Sequence, residues 1–271
     1  MKITDINELE KIAKQARIDI IEQVYEASSG HPGSSLSCVD ILTVLYFNEM
    51  NIDPQNPHME NRDRLVLSKG HSAPALYSIL AQRGFFDREE LKEFRKLGSR
   101  LQGHPDLNKL PGVDMSSGSL GQGLSAACGM ALASKMKKQN NKVYCILGDG
   151  EIQEGQVWEA AMTASHYKLD NLCVIIDNNN LQIDGEIKDV MSPYPIDKKF
   201  ESFGFIVFKV DGHSMKNLLE VFEATKLIKK QPIAIIANTV KGKGVSFMEN
   251  KAEWHGKAPN EEQYNIAISE L

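Results

Sequence analysis

Residues 143–185 read VYCILGDGEIQEGQVWEAAMTASHYKLDNLCVIIDNNNLQIDG. Two short runs of β-branched and apolar residues, 143–147 and 172–176, bracket a run of helix formers over 156–167, which predicts a strand-loop-helix-loop-strand unit. Both loops open where a strand stops: Gly148-Asp149-Gly150 after the first, Asp177-Asn178-Asn179-Asn180 after the second. In a parallel sheet the carboxyl ends of the strands are where ligands are held, so these two turns are the first candidates for a site.

Their chemistry suits a hard cation that grips a diphosphate. Magnesium takes about six oxygens and draws some of them from phosphate, so the protein need supply only a few. Asp149 offers a carboxylate, Asn179 an amide oxygen and Leu181 a backbone carbonyl. Gly148 and Gly150 omit the Cβ atoms that would hold the backbone away from phosphate oxygens.

Working outward, the chain has 271 residues, a net charge of -5 and no long run of one sign, which argues against a nucleic-acid surface. One domain over 1–271 is expected, an α/β fold with a mostly parallel central sheet and helices on both faces. Cys38, Cys128, Cys145 and Cys173 stand singly in apolar contexts and read as core residues of a reducing compartment. The amino terminus, MKITDINELEK, lacks an apolar leader, and no apolar run approaches membrane-spanning length. A cytoplasmic protein is expected.

Asp5 with Glu8 forms a candidate capping box ahead of a long amphipathic helix. Pro32 and two glycines in 28–34 are expected to exclude helix and expose His31. A second helix presents Cys38, Ile41, Leu42, Leu45 and Tyr46 as its inner face, a strand follows at 64–67, and His71 stands just beyond it, before a helix over 73–83. A Gly-, Pro- and Ser-rich loop over 98–120 contains His104, Gly118 and Leu120. A structureless loop this long is usually functional. It leads into an Ala-rich helix over 124–138, whose glycine-rich start could offer amides to an anion. The order G-x-x-G-x-G, with no strand running into it, excludes a dinucleotide fingerprint. Strands at 205–210 and 233–238 flank a helix over 215–229, and a loop with His255 and a short tail close the chain.

Four of the seven histidines, His31, His71, His104 and His255, lie beside Gly or Pro in matching loop settings. Imidazoles that exchange protons near neutrality suit a substrate with several hydroxyls. His58, His166 and His213 are read as ordinary polar residues, although Pro57 and Gly212 stand beside two of them. Zinc ligation is disfavoured, because no close ligand pair such as HxxxH or CxxC occurs.

The GDG turn followed, after a second strand, by an Asn pair resembles the thiamine diphosphate motif. GHPGSSLS, LSKGHSAPALY, GHPD, SSGSLGQGLSAA, GDGEIQEGQVWEA, DNNNLQIDG and WHGKAP then appear in the order of a transketolase amino-terminal region. Carried over by position, the resemblance implies that Asp149, Asn179 and the Leu181 carbonyl hold magnesium, or calcium or manganese in its place. It implies that His71, Gly118, Leu120, Gly150, Asn179 and His255 line thiamine diphosphate. Glu154 would take part at the cofactor and, with Glu159, at a subunit contact, while His31, His71, His104 and His255 would serve substrate and proton transfer. Ser119 departs from the pattern, since many relatives have Pro there. Transketolases continue beyond this length into pyrimidine-binding and carboxy-terminal domains. The resemblance therefore implies the amino-terminal subunit of a split enzyme, in a heterotetramer with two carboxy-terminal partner chains, passing a two-carbon ketol unit between sugar phosphates in the pentose phosphate pathway. A 2-oxo acid dehydrogenase component, a deoxyxylulose phosphate synthase or a non-catalytic cofactor-binding subunit are the alternatives; the WHGKAP and GHPD settings argue against the first two.

Overall fold

The computed structural model describes residues 2–271. Strands β1 (Arg64–Leu67), β2 (Val143–Gly148), β3 (Leu172–Asn178), β6 (Ile206–Asp211) and β7 (Ile233–Asn238) form one sheet in the order β1-β2-β3-β7-β6, with every neighbouring pair parallel. The short strands β4 (Leu181–Gln182) and β5 (Gly185–Glu186) make a separate antiparallel hairpin. Alternation along the strands divides the core in two. Tyr144, Ile146, Cys173, Ile175 and Ile235 join one apolar cluster, and Val143, Cys145, Leu147, Val174 and Ile176 join the other. A sheet covered on both faces has strands apolar at every position, which is why β2 and β3 read as unbroken hydrophobic runs.

Helices α1 (Ile6–Glu26), α2 (Pro32–Val44), α3 (Ala73–Arg83) and α8 (Met215–Thr225) contribute to the first cluster. Helices α4 (Gln122–Met136), α5 (Gly155–His166) and α7 (Ile196–Ser202) contribute to the second. The β2-to-β3 crossover uses α5 and the oppositely directed β6-to-β7 crossover uses α8 on the other face, as right-handed connections require. A single turn, α6 (Ile187–Val190), follows the hairpin, and α9 (Glu261–Glu270) packs on α1.

Several expectations are corrected. Pro32 starts a helix instead of preventing one: it occupies the first turn of α2, where its fixed φ suits the helix and its missing N–H costs nothing. All thirteen residues of α2 are buried, so the helix has no outer face. β3 runs through Asn178, which makes Asp177 and Asn178 strand residues. α8 stops at Thr225, and the expected tail is α9, opened by a reciprocal capping box between Asn260 and Gln263. At α1 the Asp5 carboxylate accepts from Asn7 and Glu8 N–H, one side of the expected box. The 98–120 loop is free of strand and helix, as expected. All four cysteines are buried and unpaired, and among the described residues no helix is long and apolar enough to cross a membrane.

Candidate active site

The register pairs Gly148 with Asp177 and Asn178 with Asn238, so β2, β3 and β7 end side by side. At this edge Asp149 Oδ2 accepts the Asn180 N–H at 2.5 Å and Oδ1 accepts the Gly150 N–H at 2.9 Å. The carboxylate after β2 is thereby tied to the turn after β3. Asn179 Oδ1 accepts the Leu181 N–H at 3.2 Å, while its Nδ2 donates to Asp177 at 3.3 Å. Asn180 takes a φ of 65°, which its short polar side chain tolerates. Burial, and then the neighbouring negative Asp177, push the Asp149 carboxyl up to about 7.

Two lysines supply the opposing charge, and no motif in the sequence singles out either. Lys69 and Asp177 form an ion pair at 1% and 0% side-chain exposure. Lys69 Nζ also donates to the Ser34 carbonyl at 2.9 Å, and Asp177 accepts from Ser37 Oγ and Thr239 Oγ1, each at 2.5 Å. Burial alone would raise Asp177, but the Lys69 ammonium holds it below the ordinary carboxylate range. Lys241 Nζ lies 3.4 Å from the Leu181 carbonyl and 2.9 Å from His255 Nδ1. Burial, and then Lys69, lower Lys241 to about 8. Glu151 lies inside the GDGEIQEG stretch, but the sequence assigns it no role. Its buried carboxylate accepts from Ser68 Oγ and, at 3.0 Å each, from the Gly121 and Gly148 N–H groups, fastening the tips of β1 and β2 to the start of α4.

His31 precedes α2, His71 lies in the short turn Gly70–Ser72 after β1, and His255 ends the turn Ala252–His255. Their ring centroids lie 5.1 to 5.4 Å apart. Burial is the chief cause that depresses all three: His31 to about 4, His255 to about 3 and His71 well below its usual value. At neutral pH they are uncharged imidazoles; in His255 the accepting nitrogen, Nδ1, is taken by Lys241, so its Nε2 carries the proton. His104 stands apart, its ring against Gly118, where a Cβ would come within 3.2 Å of the ring and φ is +152°.

A cavity of about 350 Å³ lies over the strand tips. Every expected site residue lines it except His104. Glu154 is exposed at its rim and Glu159 is exposed on α5. A larger groove, about 470 Å³, opens at the opposite edge of the sheet beside Glu49, Lys142 and Lys226. There Glu49 pairs with Lys226 at 3.0 Å and with Lys142 at 3.2 Å.

The cavity suits a metal-bound diphosphate. Its donors are hard oxygens: the Asp149 carboxylate, the Leu181 carbonyl and Asn179 Oδ1, an acceptor with two lone pairs of which the Leu181 N–H takes one. At Gly148 a Cβ would meet no protein atom closer than 3.8 Å, so the protein's own packing does not demand glycine there, and the space it leaves belongs to the cavity.

Comparison with known proteins agrees with this geometry. The family described as "Transketolase, thiamine diphosphate binding domain" matches residues 9–269. The chain is 43% identical over 266 residues to an apulose-4-phosphate transketolase subunit of Phocaeicola vulgatus, covering 98% of this chain and 94% of that one. It is 45% identical over 251 residues to a 6-deoxy-6-sulfo-D-fructose transketolase subunit of a Clostridium species, covering 93% of this chain and 91% of the other. Against human transketolase it is 47% identical over 252 residues but spans 40% of that protein. The crystal structure of Campylobacter jejuni transketolase superposes with a TM-score of 0.93 at 37% identity, covering 98% of this chain and 43% of the other. A parallel sheet with a lysine-backed cavity at its strand tips, and a family match over nearly its whole length, make this chain a member of the transketolase family carrying its thiamine diphosphate-binding domain.

Proposed function

We propose that this chain is the amino-terminal subunit of a split transketolase, and that with a carboxy-terminal partner chain it transfers a two-carbon ketol unit from a ketose phosphate to an aldose phosphate. The observation that carries the reading is the meeting of Asp149, Asn179 and Leu181 with Lys69, Lys241 and three uncharged histidines in one cavity. The near full-length match to relatives named as transketolase subunits supports the division between two chains. On this reading residues 1–271 form one diphosphate-binding domain in a cytoplasmic heterotetramer, the pyrimidine-binding groups being the partner's.

Asp149, Asn179 and the Leu181 carbonyl would hold magnesium, with calcium or manganese as substitutes. Thiamine diphosphate, when bound, supplies a carbon nucleophile that takes up and passes on the ketol unit. The chain's own groups orient and neutralise. Lys241 offsets diphosphate charge, Gly148 and Gly150 allow close approach of the backbone, and Gly118 and Leu120 border the ring. The neutral histidines His31 and His71 accept hydrogen bonds or protons from substrate hydroxyls, and His255, whose Nδ1 takes the Lys241 ammonium, donates through Nε2, with His104 at the outer end. Glu154 and Glu159, both exposed, would meet the neighbouring subunit.

The test is ketol transfer from xylulose 5-phosphate to ribose 5-phosphate by the chain alone, the partner alone and the mixture. Apulose 4-phosphate and 6-deoxy-6-sulfofructose serve as further donors, because relatives carry those names. Activity confined to the mixture, and abolished by Asp149→Ala, is expected. Transfer by the chain alone overturns the split, and an active Asp149→Ala complex at ordinary cofactor concentration overturns the metal assignment.

A further inference from the structure

His213 lies outside the cavity, in the turn between β6 and α8, yet its side chain is only 13% exposed. Both ring nitrogens are engaged. Nε2 accepts the Val240 N–H at 2.8 Å, which requires that Nε2 carry no proton; Nδ1, 2.7 Å from Asp40 Oδ2, therefore carries it. Asp40, on the wholly buried α2, also accepts from Arg17 Nη2 at 2.5 Å, and Arg17 Nε reaches the Lys243 carbonyl at 3.3 Å. One buried carboxylate thus anchors two arms that hold the turn after β7 at Val240 and at Lys243.

Lys241 stands between the two holds. Its side chain turns inward to the Leu181 carbonyl and His255 Nδ1. Gly33 makes room for it: a Cβ there would lie 3.1 Å from Lys241 Cγ and 2.8 Å from the Trp254 carbonyl oxygen. The Gly242 N–H donates to the Gly33 carbonyl at 2.9 Å, which ties the same turn to the start of α2. A lysine is a point charge on a flexible stem, so its aim depends on how firmly its own backbone is fixed.

We propose that Asp40, His213 and Arg17 form a positioning device that aims Lys241 into the cavity, with His213 acting through the Val240 peptide. The inference rests on the proposed diphosphate site for its consequence, but not for its geometry. Two conservative variants separate the two hydrogen bonds of the ring. In His213→Gln the side-chain oxygen reaches the position of Nε2 and keeps the Val240 acceptor; in His213→Asn the amide falls at the position of Nδ1, which keeps Asp40 and loses Val240.

The experiment has three readouts: the tautomer of His213 in the nitrogen-15 spectrum of the wild-type chain, hydrogen exchange at the 240–242 amides of the chain, and the Kd for magnesium thiamine diphosphate in the partner complex. The Nδ1–H tautomer is expected. His213→Asn should speed exchange and weaken cofactor binding, each by about tenfold, the equivalent of one lost hydrogen bond. His213→Gln, which keeps the Val240 acceptor but gives up the Asp40 anchor, should fall between wild type and His213→Asn, losing about threefold in each. An Nε2–H tautomer, or Asn and Gln variants alike in both exchange and Kd, overturns the proposal. If His213→Asn does not fold, the Gln variant and the wild-type tautomer decide. A wild-type complex that binds no cofactor removes the diphosphate reading, while the exchange contrast still upholds or overturns the hold of His213 on the turn.

Discussion

Changing Asp177 to Asn tests whether the buried ion pair organises the strand tips. Lys69 is 1% exposed and Asp177 0%, so the substitution leaves an ammonium in the interior without its ion-pair partner. Breaking a buried pair in this way costs about 3–5 kcal/mol. The new amide also turns a donor toward one of Ser37, Thr239, Asn179 or Lys69, all of which now donate to the carboxylate. The two effects overlap, and we expect a total of about 4 kcal/mol, a large share of the roughly 5–15 kcal/mol that holds a typical domain together. With a urea slope of about 3 kcal/mol/M, the midpoint should fall by more than about 1 M at unchanged slope. Adding Lys69→Met removes the stranded charge, and the double variant should recover about 2 kcal/mol relative to Asp177→Asn. The assay is equilibrium urea unfolding followed by circular dichroism. A midpoint for Asp177→Asn within about 0.3 M of wild type, or a double variant that loses the sum of the two single losses, refutes the reasoning.

Two glycine substitutions should behave oppositely. Gly123→Ala puts a Cβ 2.3 Å from Ser68 Oγ and 2.8 Å from Ser68 Cα, and should cost about 1–2 kcal/mol after the gain in helix propensity, read by thermal unfolding. Gly148→Ala, with no protein atom within 3.8 Å of the new methyl, should leave stability within about 0.5 kcal/mol yet weaken magnesium thiamine diphosphate by at least about tenfold, read by calorimetry of the partner complex. At the far edge of the sheet, burial alone would raise Glu49, but Lys142, Lys226 and Tyr144 hold it below its usual value. Its folded value being below its unfolded one, it stabilises above about pH 4.3, and that contribution is lost as pH falls through the folded value; Glu49→Gln should flatten the acid limb of unfolding free energy against pH. Lys241→Met should leave the fold intact and raise the cofactor Kd by about tenfold or more, with an unchanged Kd counting against its role at the diphosphate.

The sheet is legible in the sequence because burial on both faces writes itself as unbroken apolar strands, and the turns after β2 and β3 are legible because Gly, Asp and Asn have few reasons to cluster at a strand tip. Lys69 and Asp177 are not, since an ion pair between distant segments has no period, and Asp177 reads as loop because a carboxylate inside a strand normally marks its end. The start of α2 misleads for the opposite reason: Pro32 and Gly33 are helix breakers in a helix interior but not in a first turn. His213 looks ordinary in the sequence even with Gly212 before it, because its partners are a buried carboxylate on α2 and a peptide N–H beyond β7, contacts that only the folded chain creates.

With every residue of α2 buried, this helix cannot tilt or fray without opening the interior of the protein. Ser34 and Ser37 at its beginning and Asp40 in its middle are therefore as immobile as the core itself. On the proposed reading, variation in sugar preference falls to exposed positions at the rim, such as Leu120 and, in the β4–β5 hairpin, Ile183, where side chains can change size without disturbing the core. Libraries aimed at new donors belong there, and selections that return changes within α2 would be reporting repair of folding, not a new choice of sugar.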